Sequence, residues 1–193
     1  MAHAVAVSPE GCAAGPQALH AGPELLALWA ELGIEASALA GRALALHVEA
    51  PLCVLAERGS DDREHLLAPP AAQAWAAMKA AAGARGLTLE LVSAYRSVAR
   101  QAAIIREHQA EGMPIAQVLQ AVAPPGCSEH HTGHAVDVGI PGQRGLEEDF
   151  ERTAAFAWLQ QHAAGFGFRL SYPRGNPEGF IYEPWHWCLQ PGA

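Results

Sequence analysis

The chain has 193 residues, half of them apolar and 17% charged, with a formal net charge of -8 at pH 7. This composition is typical of a globular protein and excludes an intrinsically disordered chain. Lys79 is the single lysine and the arginines are scattered, which excludes nucleic-acid binding through a basic face. No apolar run reaches the roughly 18 residues of a membrane span, and the start lacks the pattern of a secretory signal. We therefore expect a cytoplasmic protein that binds no membrane.

Four cysteines are spread over the chain, at positions Cys12, Cys53, Cys127 and Cys188. They form no C-x-x-C pair, so the sequence predicts neither a zinc ribbon nor a redox motif. We expect ordinary reduced thiols, in keeping with a cytoplasmic location.

The first half of the chain predicts two helices separated by strands. "PELLALWAELGIEASALAGRA" (23–43) has helical spacing of its apolar residues, and "ALHVEAPLCVLAE" (45–57) alternates like a pair of strands. "PAAQAWAAMKAAAGARG" (70–86) predicts the second helix, with Pro70 near its start and Gly86 at its end.

A strand and two helices are predicted next. "LTLELVSAYR" (87–96) alternates with period two, which places Tyr95 and Arg96 at a strand end. "SVARQAAIIREHQAEG" (97–112) predicts a helix, and a short helix follows within 114–126, where two prolines end it.

The last third of the chain completes the pattern of alternating elements. "HAVDVGI" (134–140) predicts a strand, 146–167 predicts a helix, and 168–189 predicts two strands joined by a turn between Pro173 and Gly179. Helices alternating with antiparallel strands predict an α+β fold, with a small antiparallel sheet flanked by helices.

Four potential metal ligands fall within eight positions of "CSEHHTGHAVDVG": His130, His131, His134 and Asp137. Gly133 permits a sharp turn before the predicted strand. Along that strand, His134 and Asp137 point to opposite faces, whereas the turn can bring His130 back toward the face of Asp137. A histidine and a carboxylate could then approach one metal ion.

A third ligand must come from elsewhere, and "YEPWHW" offers Glu183 and His186. Pro184 lies between them, and a proline in a strand favours a bulge or an edge position, so both side chains could face one site. Three nitrogen and oxygen ligands with an open position are typical of catalytic zinc. A carboxylate beside such a site can take a proton from the attacking water, which makes Glu183 the candidate base. Arg96 supplies a fixed positive charge that can polarise a carbonyl or pair with a carboxylate.

At this point the sequence resembles the zinc D-Ala-D-Ala carboxypeptidases of the VanY type, relatives of the lysostaphin and hedgehog metal folds. The fixed residues of the family pattern S-x-H-x-x-G-x-A-x-D are present as Ser128, His130, Gly133, Ala135 and Asp137. The pattern E-x-W-H is present as Glu183, Trp185 and His186. The family's S-x-Y-R-S followed by glutamine is present as residues 93–97 and Gln101.

The resemblance implies a Zn²⁺ ion held by His130, Asp137 and His186. It implies Glu183 as general base and acid, and Arg96 as the group that stabilises the oxyanion. These five residues form the expected catalytic and metal site.

Four further residues are expected to contact the substrate. The resemblance implies that Ser128 and Gln101 hold the terminal residue of the peptide and that Trp185 shapes the pocket. Tyr95 is expected in the pocket or, as an equal alternative, in the core.

The resemblance covers residues 65–189. We expect residues 65–193 to form the zinc carboxypeptidase domain and residues 1–64 to be an N-terminal extension that packs on it or precedes it. His131 and His134 are expected to stay outside the ligand set.

The function implied by the resemblance is removal of a terminal D-alanine from a peptidoglycan stem peptide or muropeptide. L,D cleavage of a tetrapeptide during cell-wall recycling is favoured over D,D cleavage of a pentapeptide, because the expected location is cytoplasmic. Two alternatives stay open: an endopeptidase that cuts the L-Ala to D-Glu bond, and a non-catalytic zinc-bound recognition module. The sequence carries no signal for an oligomeric state.

Overall fold

The computed structural model of the chain describes residues 21–59, 63–143 and 146–190. The α-helices in these ranges are α1 (Pro23–Glu31), α2 (Ala36–Leu39), α3 (Pro69–Gly83), α4 (Val98–Ala110), α5 (Ile115–Val118) and α6 (Ala154–His162). The strands are β1 (Val54–Arg58), β2 (Glu64–Leu67), β3 (Glu90–Ser93), β4 (Ala135–Gly139), β5 (Phe168–Leu170) and β6 (His186–Leu189). The 3₁₀ turns are Glu129–Thr132, Glu148–Arg152 and Ala163–Phe166. None of the described helices is long and apolar enough to cross a membrane.

The main sheet is antiparallel and has the strand order β3, β4, β6, β5, while β1 and β2 form a separate antiparallel pair. Within the main sheet, Asp137 of β4 is paired with His186 of β6 on one side and with Ser93 of β3 on the other. The predicted α+β fold with a small antiparallel sheet and flanking helices is confirmed.

The larger hydrophobic core lies between this sheet and helices α3 and α6. Its members include Trp75, Met78, Val136, Val138, Phe156 and Leu159. Side chains alternate along a strand, so β4 sends Val136 and Val138 into this core and directs Asp137 to the opposite face of the sheet. One strand therefore supplies both the packing of the fold and a functional side chain.

A second core cluster joins α1 to the region around α4 and α5. Trp29 of α1 and Leu32 directly after it pack with Ile105 and Leu119, and Trp29 Nε1 donates to the carbonyl of Pro125 at 2.8 Å. Residues that precede the main sheet in the sequence therefore bury apolar surface against the segment that leads into the His130 turn. Residues 1–20 of the predicted extension lie outside the described residues.

Two predicted elements differ from the structure in the first half of the chain. The helix predicted within 23–43, with Gly41 as its breaker, ends earlier in the structure, because Gly33 has φ +70° and follows the end of α1. Of the strand pair predicted within 45–57, only β1 forms, and its partner is β2. The N–H groups of His47 and Ala50 instead donate to carbonyls of the loop before β4 at 2.8 Å, so this stretch is a connection and not a strand.

The helix predicted over 146–167 is divided in the structure. Thr153 Oγ1 accepts a hydrogen bond from the N–H of Phe156 at 3.1 Å and so caps the start of α6. Threonine is a preferred residue at this position, where it satisfies an amide that has no partner inside the helix. The residues before Thr153 form the separate turn Glu148–Arg152.

The cysteines of the described residues are free thiols. Cys53, Cys127 and Cys188 form no disulfide, whereas Cys12 lies outside the described residues. Burial raises the pKa of Cys127 to about 12 and raises that of Cys188 as well. Neither thiol belongs to the group of candidate metal ligands within the described residues.

Candidate metal centre and active site

His130 is positioned by the turn that precedes β4. The 3₁₀ turn Glu129–Thr132 ends at Gly133, which has φ 67°. A Cβ at this glycine would lie 2.8 Å from the backbone nitrogen of Ala68, so both conformation and space require glycine here. The turn brings His130 Nε2 to 3.2 Å from Asp137 Oδ2.

His186 reaches the same carboxylate from the neighbouring strand. Its Nδ1 lies 3.1 Å from Asp137 Oδ1, and its ring meets the His130 ring edge-on with 4.9 Å between centroids. One nitrogen from each histidine and one oxygen of Asp137 all lie within 4.8 Å of one another, and all three residues are buried. The structure thus brings together three residues that are separated by up to 56 positions in the chain.

The outward-facing nitrogen of each histidine has its own acceptor. His130 Nδ1 lies 2.7 Å from the carbonyl of Ala94, and His186 Nε2 lies 3.0 Å from Glu129 Oε2. When these nitrogens carry the ring protons, the lone pairs of His130 Nε2 and His186 Nδ1 point toward Asp137. Two imidazole nitrogens and one carboxylate oxygen, with further acceptors behind the rings, fit a metal ion.

The charges in this group show the same preference for a cation. Burial alone would raise the pKa of Asp137, but the interactions with His130 and His186 hold it well below its usual range. Burial alone would lower the pKa of His186, yet hydrogen bonds to Asp137 and Glu129 raise it to about 10. Buried carboxylates on both sides of the ring therefore call for positive charge, which a proton or a metal ion can supply.

Glu183 lies beside the group on the segment that enters β6. The sequence placed it within the last strand, but the strand begins only at His186. Pro184 lies in a turn that the N–H of His186 closes by donating to the Glu183 carbonyl at 3.1 Å. The turn brings Glu183 Oε2 to 3.7 Å from His186 Nδ1, so the two side chains face one site without a bulge.

The Glu183 carboxyl is suited to proton transfer. It is 7% exposed. Burial raises its pKa to about 7, a rise that His186 opposes and the charge of Asp137 assists. A carboxyl that titrates near neutral pH can both accept and donate a proton under physiological conditions.

Arg96 is fixed next to the three ligands. Its Nη1 donates to Gln101 Oε1 at 3.1 Å and its Nη2 donates to Ser93 Oγ at 2.9 Å, while Nη2 lies 3.9 Å from Asp137 Oδ2. Gln101 is held in turn by the carbonyl of Ala123, to which its Nε2 donates at 2.7 Å. The guanidinium therefore presents a preoriented positive charge at the edge of the cleft.

A cleft of about 210 Å³ opens over these groups. Besides the ligands, Glu183, Arg96 and Gln101, its lining residues are Ala121, Ala123, Ser128, Leu146, Tyr172, Phe180, Ile181 and Trp185. Of the expected substrate contacts, only Tyr95 is absent from this lining. Tyr95 is only partly buried and belongs to neither core cluster of the described residues, so it lies neither in the cleft nor in the core.

His131 and His134 take no part in the group of candidate ligands within the described residues. His131 is fully buried; its Nδ1 lies 2.6 Å from the carbonyl of Arg96, and its Nε2 accepts from the N–H of Gly126 at 3.1 Å. It joins two loops. His134 is only partly buried.

Sequence reasoning assigned no role to Glu129 or Tyr172. Glu129 occupies the unspecified position of S-x-H, and Tyr172 packs its ring on His186 with 4.6 Å between centroids. The only available signal for Glu129 was its charge next to a predicted ligand.

Comparison with known proteins places this site in a family. A family model described as VanY, D-alanyl-D-alanine carboxypeptidase, matches residues 64–191. The chain is 36% identical over 146 residues to the bifunctional D-Ala-D-Ala dipeptidase and D-Ala-D-Ala carboxypeptidase VanXYC of Enterococcus gallinarum, covering 72% of this chain and 73% of that protein. It is 40% identical over 119 residues to the putative carboxypeptidase YodJ of Bacillus subtilis, covering 60% of this chain but only 43% of that protein.

Solved structures show the same likeness. The LdcB LD-carboxypeptidase has a TM-score of 0.59 and 35% identity, with 75% of this chain and 65% of that chain covered. A glutamate-to-alanine variant of the D,D-pentapeptidase VanY in complex with Zn(II) has a TM-score of 0.55 and 27% identity, with 75% of this chain and 79% of that chain covered.

Proposed function

The chain belongs to the VanY family of D-alanyl-D-alanine carboxypeptidases, and from this premise we propose that it is a zinc-dependent carboxypeptidase of peptidoglycan stem peptides. The observation that carries the proposal is the buried group of His130, Asp137 and His186, with Glu183 beside it and a cleft above. The related VanY structure in complex with Zn(II) supports zinc as the metal.

In this proposal each polar group has one task in hydrolysis. Zinc, when bound, supplies Lewis-acid chemistry for the attack of water on the scissile carbonyl. Glu183 accepts a proton from the attacking water and then donates it to the leaving amine of the terminal D-alanine. Arg96 stabilises the negative charge that develops on the carbonyl oxygen, and Gln101 keeps the guanidinium in place.

The cleft supports a small terminal residue as the leaving group. The lining includes the polar and charged groups of Ser128 and Arg96 and the apolar side chains of Phe180, Ile181 and Trp185. A volume of about 210 Å³ suits a short peptide end rather than a folded protein surface. We therefore place the terminal D-alanine over the ligands, with Ser128 contacting it and Trp185 shaping its pocket.

For the bond that is cut, we favour L,D cleavage of a tetrapeptide. The 35% identity to the LdcB LD-carboxypeptidase structure supports this reaction. The D,D alternative is supported by the 36% identity to VanXYC, whose name describes cleavage of D-Ala-D-Ala. A cytoplasmic role in cell-wall recycling remains a prediction from the sequence.

Glu183 favours an enzyme over a recognition module. A binding-only site has no chemical need for a carboxyl that titrates near neutral pH next to the metal ligands. The reaction products distinguish the carboxypeptidase from the endopeptidase alternative, which cuts the L-Ala to D-Glu bond.

The test is mass spectrometry of the zinc-loaded protein after incubation with a tetrapeptide and a pentapeptide muropeptide, each with and without a chelator. We expect loss of one alanine mass from one substrate, abolished by the chelator, and the substrate that shrinks identifies the L,D or D,D reaction. Internal cleavage would favour the endopeptidase. Intact peptides with zinc bound would favour the recognition module and would refute the proposed reaction.

We also propose that residues 1–64 are an extension that supports the catalytic domain of residues 65–193. Arg42 contributes to this support: its Nε donates to the carbonyl of Glu178 at 2.6 Å and its Nη1 to that of Leu119 at 2.9 Å. Its guanidinium also lies 4.5 Å from the centroid of the Phe180 ring, which lines the cleft. Deletion of the extension is expected to weaken peptide binding as well as folding.

A further inference from the structure

His186 is held by carboxylates on both sides of its ring. Nδ1 faces Asp137 Oδ1 at 3.1 Å, and Nε2 faces Glu129 Oε2 at 3.0 Å. The ring is almost fully buried, and only 15% of the Glu129 side chain is exposed. Because the two ring nitrogens point in divergent directions, Glu129 lies behind the ring and does not share the space between His186, Asp137 and His130.

The Glu129 carboxylate is itself held in place by the residue that follows β5. Ser171, directly after β5, donates its hydroxyl to Glu129 Oε2 at 2.5 Å. The N–H of the same serine donates to the carbonyl of His186 at 3.3 Å. One serine therefore ties the Glu129 carboxylate to the backbone of the histidine that this carboxylate contacts.

We propose that Glu129 is a positioning residue that accepts the Nε2 proton of His186 and so holds the Nδ1 lone pair toward the metal. A carboxylate behind a ligating imidazole selects one tautomer, restricts ring rotation and makes the ligating nitrogen more basic. The acceptor behind the His130 ring is weaker, because His130 Nδ1 faces the neutral carbonyl of Ala94 and not a carboxylate. The two histidines therefore present opposite ring nitrogens to one ion, each selected by the acceptor behind it.

This inference rests on the proposed zinc site but not on which peptide bond is cut. Its first test is the dissociation constant for Zn²⁺, measured by competition with a chromogenic chelator at one pH. Glu129→Leu, which removes the acceptor, should weaken binding by about 10- to 100-fold. Glu129→Gln, which keeps an acceptor oxygen without the charge, should lose less. Glu107→Gln removes an exposed carboxylate from α4 and should leave the affinity unchanged.

A second measurement separates positioning from general structural support. In the Co²⁺-substituted protein, the visible absorption spectrum reports the ligand geometry directly. We expect Glu129→Leu to shift or broaden the spectrum, and Glu129→Gln to restore most of it. Unchanged zinc affinity and an unchanged spectrum in a folded Glu129→Leu variant would overturn the proposal.

Ser171→Ala keeps the proposal testable if Glu129→Leu does not fold. Removing the hydroxyl frees the Glu129 carboxylate without altering either residue of the pair. We expect a loss of zinc affinity that is smaller than that of Glu129→Leu, with Ser37→Ala on the exposed helix α2 as the matched control. If both Ser171→Ala and Glu129→Gln bind zinc as tightly as the unaltered protein, Glu129 has no positioning role. These binding results do not depend on whether any peptide is cleaved.

Discussion

Glu57 and Asp137 are both largely buried carboxylates of the sheets, and their surroundings give them opposite roles. Glu57 of β1 receives three hydrogen bonds: from Trp75 Nε1 at 3.1 Å, Lys79 Nζ at 2.6 Å and the N–H of Leu91 at 3.2 Å. Protein donors therefore satisfy its charge, and the group joins β1, α3 and β3. Such a carboxylate is structural.

Asp137 lacks this supply of obligatory donors. It faces two imidazoles whose outer nitrogens already have acceptors, with Arg96 Nη2 no closer than 3.9 Å. In the metal-free protein, the His186 ring, whose pKa is raised to about 10, can donate its Nδ1 proton to Asp137, and a bound metal ion would take the place of that proton. Fixed protein donors thus satisfy Glu57, whereas Asp137 depends on a proton or a metal ion held between it and the histidines, which suits a candidate metal ligand.

The largest expected effect is on turnover. Glu183→Gln keeps the size of the side chain but cannot take a proton, so turnover should fall by about 10²- to 10⁴-fold while zinc stays bound. Product formation by mass spectrometry and zinc content by elemental analysis check this. Retained turnover in the zinc-loaded variant would remove Glu183 from the mechanism.

Asp137 and Glu57 should differ sharply in how much they contribute to zinc binding. Asp137→Asn removes an anionic ligand and should weaken Zn²⁺ binding by roughly 100-fold or more, because a zinc-binding free energy of about 10–16 kcal/mol is shared among few ligands. Glu57→Gln is the matched change at the structural carboxylate and should leave the zinc affinity intact. Chelator competition on both variants makes the measurement, and equal losses would contradict the comparison.

The pH dependence of stability should reveal the buried Glu183 carboxyl in the metal-free protein. Burial raises the pKa of Glu183 from its ordinary value of 4.5 to about 7. The folded state therefore holds its proton more tightly than the unfolded state, and stability is lost as pH rises from 4.5 to 7. The loss in the free energy of unfolding amounts to about 3 kcal/mol above pH 7. Glu183→Gln mimics the protonated form and should avoid this loss.

Urea unfolding with a chelator present, at pH 5 and pH 8, measures this difference. The stability gain of Glu183→Gln over the unaltered protein should be larger at pH 8. Glu31→Gln, at an exposed ion pair with Arg106, should show no such increase. A gain that is the same at both pH values would mean that Glu183 titrates normally.

The smallest expected effect concerns the structural carboxylate alone. Glu57→Ala leaves the indole N–H of Trp75 and the N–H of Leu91 without their acceptor. We expect the free energy of unfolding to fall by about 1–3 kcal/mol, with no loss of zinc affinity in the folded protein. Thermal unfolding and chelator competition check the two parts. A loss of zinc affinity would show that the two regions are coupled.

Much of the candidate site could be predicted because its signals are local. The Gly133 turn and the alternation of β4 place His130 and Asp137 on one side without knowledge of the rest of the chain. The segment 182–187 offered Glu183 and His186, and the family patterns assigned His186 as the third ligand. Helix boundaries were less predictable, since a single cap at Thr153 divides a segment whose composition is helical throughout.

Other features depend on residues far apart in the chain. Glu129 acquires its role because β5 and β6 bring Ser171 and His186 to it, 42 and 57 positions away. Glu183 enters the site through a turn and not through a strand, and no periodicity describes a turn. Tyr95 faces Glu49, which lies in a connection that the sequence had suggested was a strand.

The sequence by itself determined the fold class and the family and predicted the candidate ligands His130, Asp137 and His186, because side-chain periodicity and short fixed motifs act over a few residues. Only the tertiary structure decided which ring nitrogen of each histidine faces Asp137, since the acceptors behind the rings come from separate elements. It also decided that the Glu57 carboxylate is satisfied by protein donors while the Asp137 group favours a cation. Both outcomes depend on counting hydrogen-bond donors and acceptors in three dimensions, where packing brings distant segments together.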